Sequence, residues 1–170
     1  MAADFKSLSK NEQGALVAGA VALVFSFFSN YLKVSFSGGR DIPGLNFSGG
    51  ESAWHGWALL GILLVVGSTA IVAVKAFAKE SLPDGVPWSL VAVGAAGLGT
   101  IILILRPLLA GDGGTGVSVG PGWSAFILWI AAAALTYFTF TLFKESGEKM
   151  PDMPKKGTPP AGPPSTPPSL

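Results

Sequence analysis

The chain has 170 residues, 49% of them hydrophobic and 12% charged, with a mean hydropathy of +0.53, which places it outside the composition of ordinary soluble domains. Its net charge of +1 averages over charge-free stretches and the charged segments between them, so it supports no argument for nucleic acid or acidic ligands. The absence of cysteine removes disulfides, thiolate metal sites and cysteine nucleophiles together, and a single histidine is too few for a histidine-based metal site.

Ser9 and Glu12 have the spacing of a capping box just before the first apolar run, which extends from about Gly14 to Leu32. Asp4 and Glu12 in its flank, its length, and the lack of a small-x-small site after Leu32 argue for a retained helix over a cleaved signal peptide. The loop that follows, about Lys33 to Ala53, alternates at Val34 and Phe36, turns at Gly38-Gly39-Arg40-Asp41, and alternates again at Leu45-Asn46-Phe47-Ser48. That pattern predicts a short β-hairpin, which needs the helix ends or another subunit to pack against because an isolated hairpin is only marginally stable.

The second apolar run spans about 54–77, the third about 87–109, after the Pro83-Asp84-Gly85 turn, and the fourth about 123–143. With 14–32 these make four stretches of the length an α-helix needs to cross about 30 Å of hydrocarbon, and none has Asp or Glu in its interior. The loop 110–122 is so rich in glycine that it is expected to have little to fold around. Both loops lead through glycine into a tryptophan-headed helix, a likeness that fits either a duplicated helical hairpin or the general preference for tryptophan at the membrane interface.

Lysine and arginine set the orientation. Lys6, Lys10, Lys75, Lys79, Lys144, Lys149, Lys155 and Lys156 lie on one side, and Lys33, Arg40 and Arg106 on the other. The expected fold is therefore an all-α membrane protein, a four-transmembrane-helix bundle in the cell membrane with both termini cytoplasmic, comprising residues 1–148. Residues 149–170 are expected to form a disordered, proline-rich cytoplasmic tail, because the last twenty residues hold eight of the chain's 13 prolines, a composition that cannot bury a core. Pro160 with Pro163 and Pro164 with Pro167 have the P-x-x-P spacing that docks in aromatic grooves; an inert spacer is the plainer reading.

Few side chains carry chemistry. Arg106, next to Pro107 at the outer end of the third run, is read first as a snorkelling side chain and second as a contact for an anion or for Asp41, Glu51 or Asp112. Pro107 itself should kink or end the helix. His55, between Trp54 and Trp57, is read as an interfacial anchor, with a pH or ligand sensor as the sharper alternative, and the acidic loop residues with His55 as a weak candidate for a cation site. The hydroxyl residues of the spans suit helix-to-helix hydrogen bonds, and small residues four apart in the first and third runs, such as Ala15 with Gly19 and Ala92 with Ala96, suit close packing. Midplane acids and bases, nucleotide loops, zinc-protease motifs and serine elbows are missing from the sequence, so no cofactor and no enzymatic activity is expected.

The polar start Ser9 to Glu12, the aromatic close Phe27-Phe28-Ser29-Asn30-Tyr31, the loop ending Ser52-Ala53-Trp54-His55-Gly56-Trp57 and the exit Leu105-Arg106-Pro107-Leu108 resemble a broad group of small, uncharacterised four-helix membrane proteins of actinobacteria. The likeness covers about residues 9–145. In that group the first helix usually closes on proline-tryptophan where this chain has Asn30-Tyr31. The resemblance implies architecture and a plasma-membrane home, and no reaction. The functional expectation is an interaction scaffold or accessory subunit of a membrane assembly, bound by lipid, other membrane proteins or its own copies. The alternatives are an oligomeric pore or small transporter, and an outward-facing sensor.

Overall fold

The computed structural model describes residues 5–37, 46–83, 85–111 and 116–148. Ser9 opens the first long helix, α1 (Lys10–Ser26): its hydroxyl accepts from the Glu12 amide at 3.2 Å, and the Glu12 carboxylate accepts from the Ser9 amide at 2.9 Å. This is the reciprocal cap that the Ser-x-x-Glu spacing predicts. The helix thus starts before the apolar run and stops well short of Leu32, which corrects the expected span of 14–32. The Tyr31 amide donates to the Glu51 carbonyl, and the Tyr31 carbonyl accepts from the Gly122 amide. Bonds to segments remote in sequence therefore take the backbone groups that a longer helix would have used.

After Tyr31 the chain enters β1 (Leu32–Ser37), which pairs antiparallel with β2 (Asn46–Glu51) on one side and β3 (Val117–Pro121) on the other, in the order β2-β1-β3. The expected hairpin is β1 with β2, in a register that sets Val34 opposite Gly49 and Phe36 opposite Phe47. The third strand corrects the expectation that the second loop has little to fold around. Val117-Ser118-Val119 alternates in the strand period and lies opposite Phe36-Ser35-Val34. The partner lies far away in the chain, so no local pattern announces it. A third strand and the helix ends stabilise what a lone hairpin would not.

Three further helices follow: α2 (Ala58–Phe77), α3 (Trp88–Leu108) and α4 (Trp123–Ser146). Each is long and apolar enough to cross a membrane, at about 30, 32 and 36 Å by the helical rise; α1 is about 26 Å long. The second span begins later than expected because residues 52–57 turn, with Gly56 at φ +60°, a conformation that favours glycine. Gly147, at φ +67°, ends α4 in the left-handed conformation typical of the position after a helix.

The starts of α1 and α3 and the ends of α2 and α4 meet around one cavity, so the helices alternate in direction. The seam between them combines large buried side chains (Ile62, Leu103, Leu128 and Leu135) with many small ones. Ala15, Ala18, Gly19 and Ala22 are buried on α1, and Ala92, Ala96, Gly99 and Thr100 on α3. A Cβ added to Gly99 would lie 2.8 Å from the Gly61 carbonyl oxygen, so the backbones of α2 and α3 touch there. Other large apolar side chains, such as Val24, Leu60, Ile101 and Ile130, point outwards. Of the hydroxyls expected to bond between helices, Ser68 donates to the Ala92 carbonyl at 2.8 Å, and Thr100 and Thr136 meet at 3.1 Å. Thr69 and Thr141 bond instead to carbonyls four residues back in their own helices.

Candidate functional site

Two polar constellations stand out, one at each end of the bundle. At the sheet end the chemistry begins with Pro107. Proline has no amide hydrogen, so the carbonyl four residues earlier, that of Leu103, loses its helical donor. As expected, α3 ends beside Pro107: its last residue is Leu108, and the Leu109 amide closes the final turn on the Leu105 carbonyl at 2.8 Å. Two side chains from elsewhere replace the missing donor. The Tyr31 hydroxyl donates to the Leu103 oxygen at 2.7 Å and the Trp129 indole N–H at 2.9 Å. Tyr31 is fully buried. One carbonyl thus joins the α1–β1 junction, α3 and α4, and neither donor was identifiable from the sequence around Pro107.

The other expected residues of this end fall into separate environments. Trp54 is stacked on Phe27 with ring centroids 5.1 Å apart, and its indole N–H donates to Ser26 Oγ at 2.9 Å, so it ties the turn before α2 to the end of α1. His55 lies 3.2 Å from Ser52 Oγ through Nδ1 and is exposed. Arg106 is half-buried; its guanidinium sits over the Trp57 ring at 5.9 Å and beside Gly56, where an added Cβ would stand 3.4 Å from its nearest nitrogen. Arg106 and Trp57 therefore come together, while Trp54 and His55 face other partners. Glu51 forms no ion pair with Arg106. Asp41 and Asp112, and the tail residues Pro160, Pro163, Pro164 and Pro167, lie outside the described residues.

At the opposite end a cavity of about 460 Å³ opens between the four helices, lined in part by Glu12, Lys75, Ser89, Thr139, Glu145 and Glu148. Lys75 Nζ donates to Ser89 Oγ and, at 3.0 Å, to Glu148 Oε1. Glu148 Oε2 accepts from the backbone amides of Ser89 at 3.0 Å and Leu90 at 3.4 Å. Pro87 offers α3 no side-chain cap, and the carboxylate from beyond α4 supplies one, where a negative charge also suits the helix dipole. This cluster escaped sequence reasoning, which used Lys75 only to set orientation. The one available hint was a helix start without Ser, Thr, Asp or Asn before it.

Burial by itself would raise the Glu148 carboxyl, but the hydrogen bonds from Lys75 and Ser89 and the charge of Lys75 outweigh it and hold it below its ordinary value of 4.5. A depressed carboxyl binds fewer protons folded than unfolded, so its stabilisation is present above that ordinary value and is lost as the pH falls through the depressed one. Glu148→Gln is expected to lower stability at pH 7 by about 1 kcal/mol. Thermal melts in detergent check it: the gap between the variant and the wild type should close as the pH falls below the ordinary carboxylate range.

Among the described residues no group of three or more His, Cys, Asp or Glu is placed to hold a metal ion. The hydroxyls of Thr136 and Thr139 on α4 are occupied inside the bundle, by Thr100 and by carbonyls of α4 itself. Comparison with family models, curated proteins and solved structures finds no match.

Proposed function

We propose that this chain is a multi-pass protein of the plasma membrane, crossing it four times with both termini in the cytoplasm, and that it works without catalysis as an interaction platform or accessory subunit. Support for the fourth crossing comes from α1, which packs against α2 and α4 as a full member of the bundle and turns Val17, Val21 and Val24 outwards. Lipid is the natural surroundings for a bundle whose outer surface carries large apolar side chains such as Val24, Leu60, Ile101 and Ile130.

The observation that carries the interaction role is the sheet. Two segments far apart in sequence combine into one platform on the bundle end, with β2 and β3 as its edge strands and Phe47 of β2 65% exposed. Edge strands present free backbone donors and acceptors that another chain can pair with. A multi-copy pore would instead need the polar stripe of α4 on a shared axis, whereas Thr136 and Thr139 of that stripe are engaged inside the bundle and Tyr137 is its exposed member.

Sidedness is testable because the chain has no cysteine. A single cysteine at Ser48 should react with an impermeant reagent added to intact cells, and one at Ser165 only after lysis. Copurification from native membranes in mild detergent then compares the wild type, Phe47→Asp and a chain lacking residues 149–170. A stoichiometric companion, or a second copy, should be lost from Phe47→Asp. A lone monomer whose behaviour neither change alters would sink the reading.

A further inference from the structure

Arg106 carries a charge that the described residues do not balance. Its Nε is enclosed and has no acceptor. Glu51 is the one acidic residue described at the sheet end and does not pair with it; the ion pair formed by described residues, Lys75–Glu148, lies at the opposite end. An enclosed guanidinium donor without an acceptor is costly to leave unmade, and the planar five-donor group is built to grip an oxyanion with two parallel bonds.

The surroundings indicate which oxyanion. One wall is the Trp57 ring, and Gly56 lies on another side, where an added Cβ would stand 3.4 Å from the nearest guanidinium nitrogen. Beside Arg106 on the last turns of α3, Leu105, Leu108 and Leu109 are exposed at 40%, 59% and 68%, and Trp57 at 41%. A cation thus sits at the end of a membrane-length helix, between an amphipathic indole and outward-facing leucines. A free anion gains nothing from those leucines, whereas a phosphodiester attached to acyl chains uses both halves of the surface.

We propose that Arg106 and Trp57 form a binding site for the phosphate of a phospholipid in the leaflet at the sheet end, with the guanidinium holding the phosphate oxygens and the acyl chains lying along Leu105 and Leu108. The inference rests on the reading of the bundle as membrane-embedded.

The test uses the full-length chain purified in mild detergent as wild type, Arg106→Lys and Arg106→Gln. Bound phospholipid is counted by native mass spectrometry, and affinity is measured by adding a defined phosphatidylglycerol. Wild type should retain phospholipid, Arg106→Gln should bind about tenfold more weakly, as for the loss of one charge-assisted hydrogen bond, and Arg106→Lys should fall between. Diacylglycerol, with chains and no phosphate, should show no dependence on residue 106. Near-ultraviolet circular dichroism confirms that each variant is folded.

Equal retention by wild type and Arg106→Gln overturns the proposal. So does saturation by inorganic phosphate with the same dependence on Arg106 while phosphatidylglycerol fails to bind, since the ligand would then be a free anion. A third contrary result is that Asp41→Asn or Asp112→Asn destabilises the chain as much as Arg106→Gln does and no phospholipid is retained, which would give the guanidinium a partner within the chain. Recovery of the protein outside carbonate-washed membranes would instead overturn the membrane reading itself; membrane recovery with lipid retention independent of Arg106 would overturn only the site.

Discussion

Gly122→Ala is expected to loosen the sheet from the helices at a cost of about 3 kcal/mol, the upper range for overpacking. A Cβ at this position would lie 1.8 Å from the carbonyl oxygen of Asn30. The obstacle is backbone, so no rotamer change can relieve it. Gly122 has φ −84°, an ordinary conformation for any residue, and the cost is therefore steric alone. Gly50 is placed alike, with its added Cβ 1.9 Å from the Ser29 carbonyl oxygen. The turn from Phe27 to Asn30 is thus gripped between the end of β2 and the residue after β3.

The same strands supply the controls. Nothing lies within 4 Å of a Cβ added to Gly49 or Gly120, so alanine at either should change stability by less than about 0.5 kcal/mol. Thermal unfolding in detergent, with limited proteolysis of the strands, separates the two pairs. Equal effects at all four glycines would show that the loss comes from strand glycines in general, and the close-approach account would fail.

The second large effect concerns the Leu103 carbonyl. Tyr31→Phe leaves the Trp129 donor in place and should cost about 1 kcal/mol, a typical net hydrogen bond. Removing both donors, as Tyr31→Phe with Trp129→Phe, leaves a buried acceptor unmet and adds about 1–3 kcal/mol beyond the single changes. Pro107→Ala restores a backbone amide four residues after Leu103. In that background the penalty of Tyr31→Phe should shrink, and a double-mutant cycle reads the coupling directly. Strict additivity between residues 31 and 107 would show that the tyrosine does not answer the proline.

These two sites also separate what can be read along a chain from what cannot. The capping box was legible because Ser9 and Glu12 are three residues apart and act on the same helix end. The β1–β2 hairpin was legible from its alternation, whereas β3, on the other side of β1, was not. At Pro107 the missing hydrogen bond and the nearby end of α3, at Leu108, followed from the residue itself, but the replacement donors, Tyr31 and Trp129, are remote in sequence and were not visible. Of the candidate site, Arg106 and Trp57 were both singled out and do meet. Lys75, Ser89 and Glu148 were not, since nothing in their local windows links the end of α2, the start of α3 and the residue beyond α4.

By itself the sequence determined the helical character of the long apolar runs, the start of α1 and the charge-poor interior, because helix length, capping and hydropathy are properties of neighbouring residues. Only the tertiary structure decided that α1 stops at Ser26, that Val117–Pro121 becomes a third strand, and that Glu148 caps α3. Each of those outcomes depends on a backbone or side-chain group finding its partner across a long loop, and the free energy that selects the partner exists only once the helices have brought the two ends together.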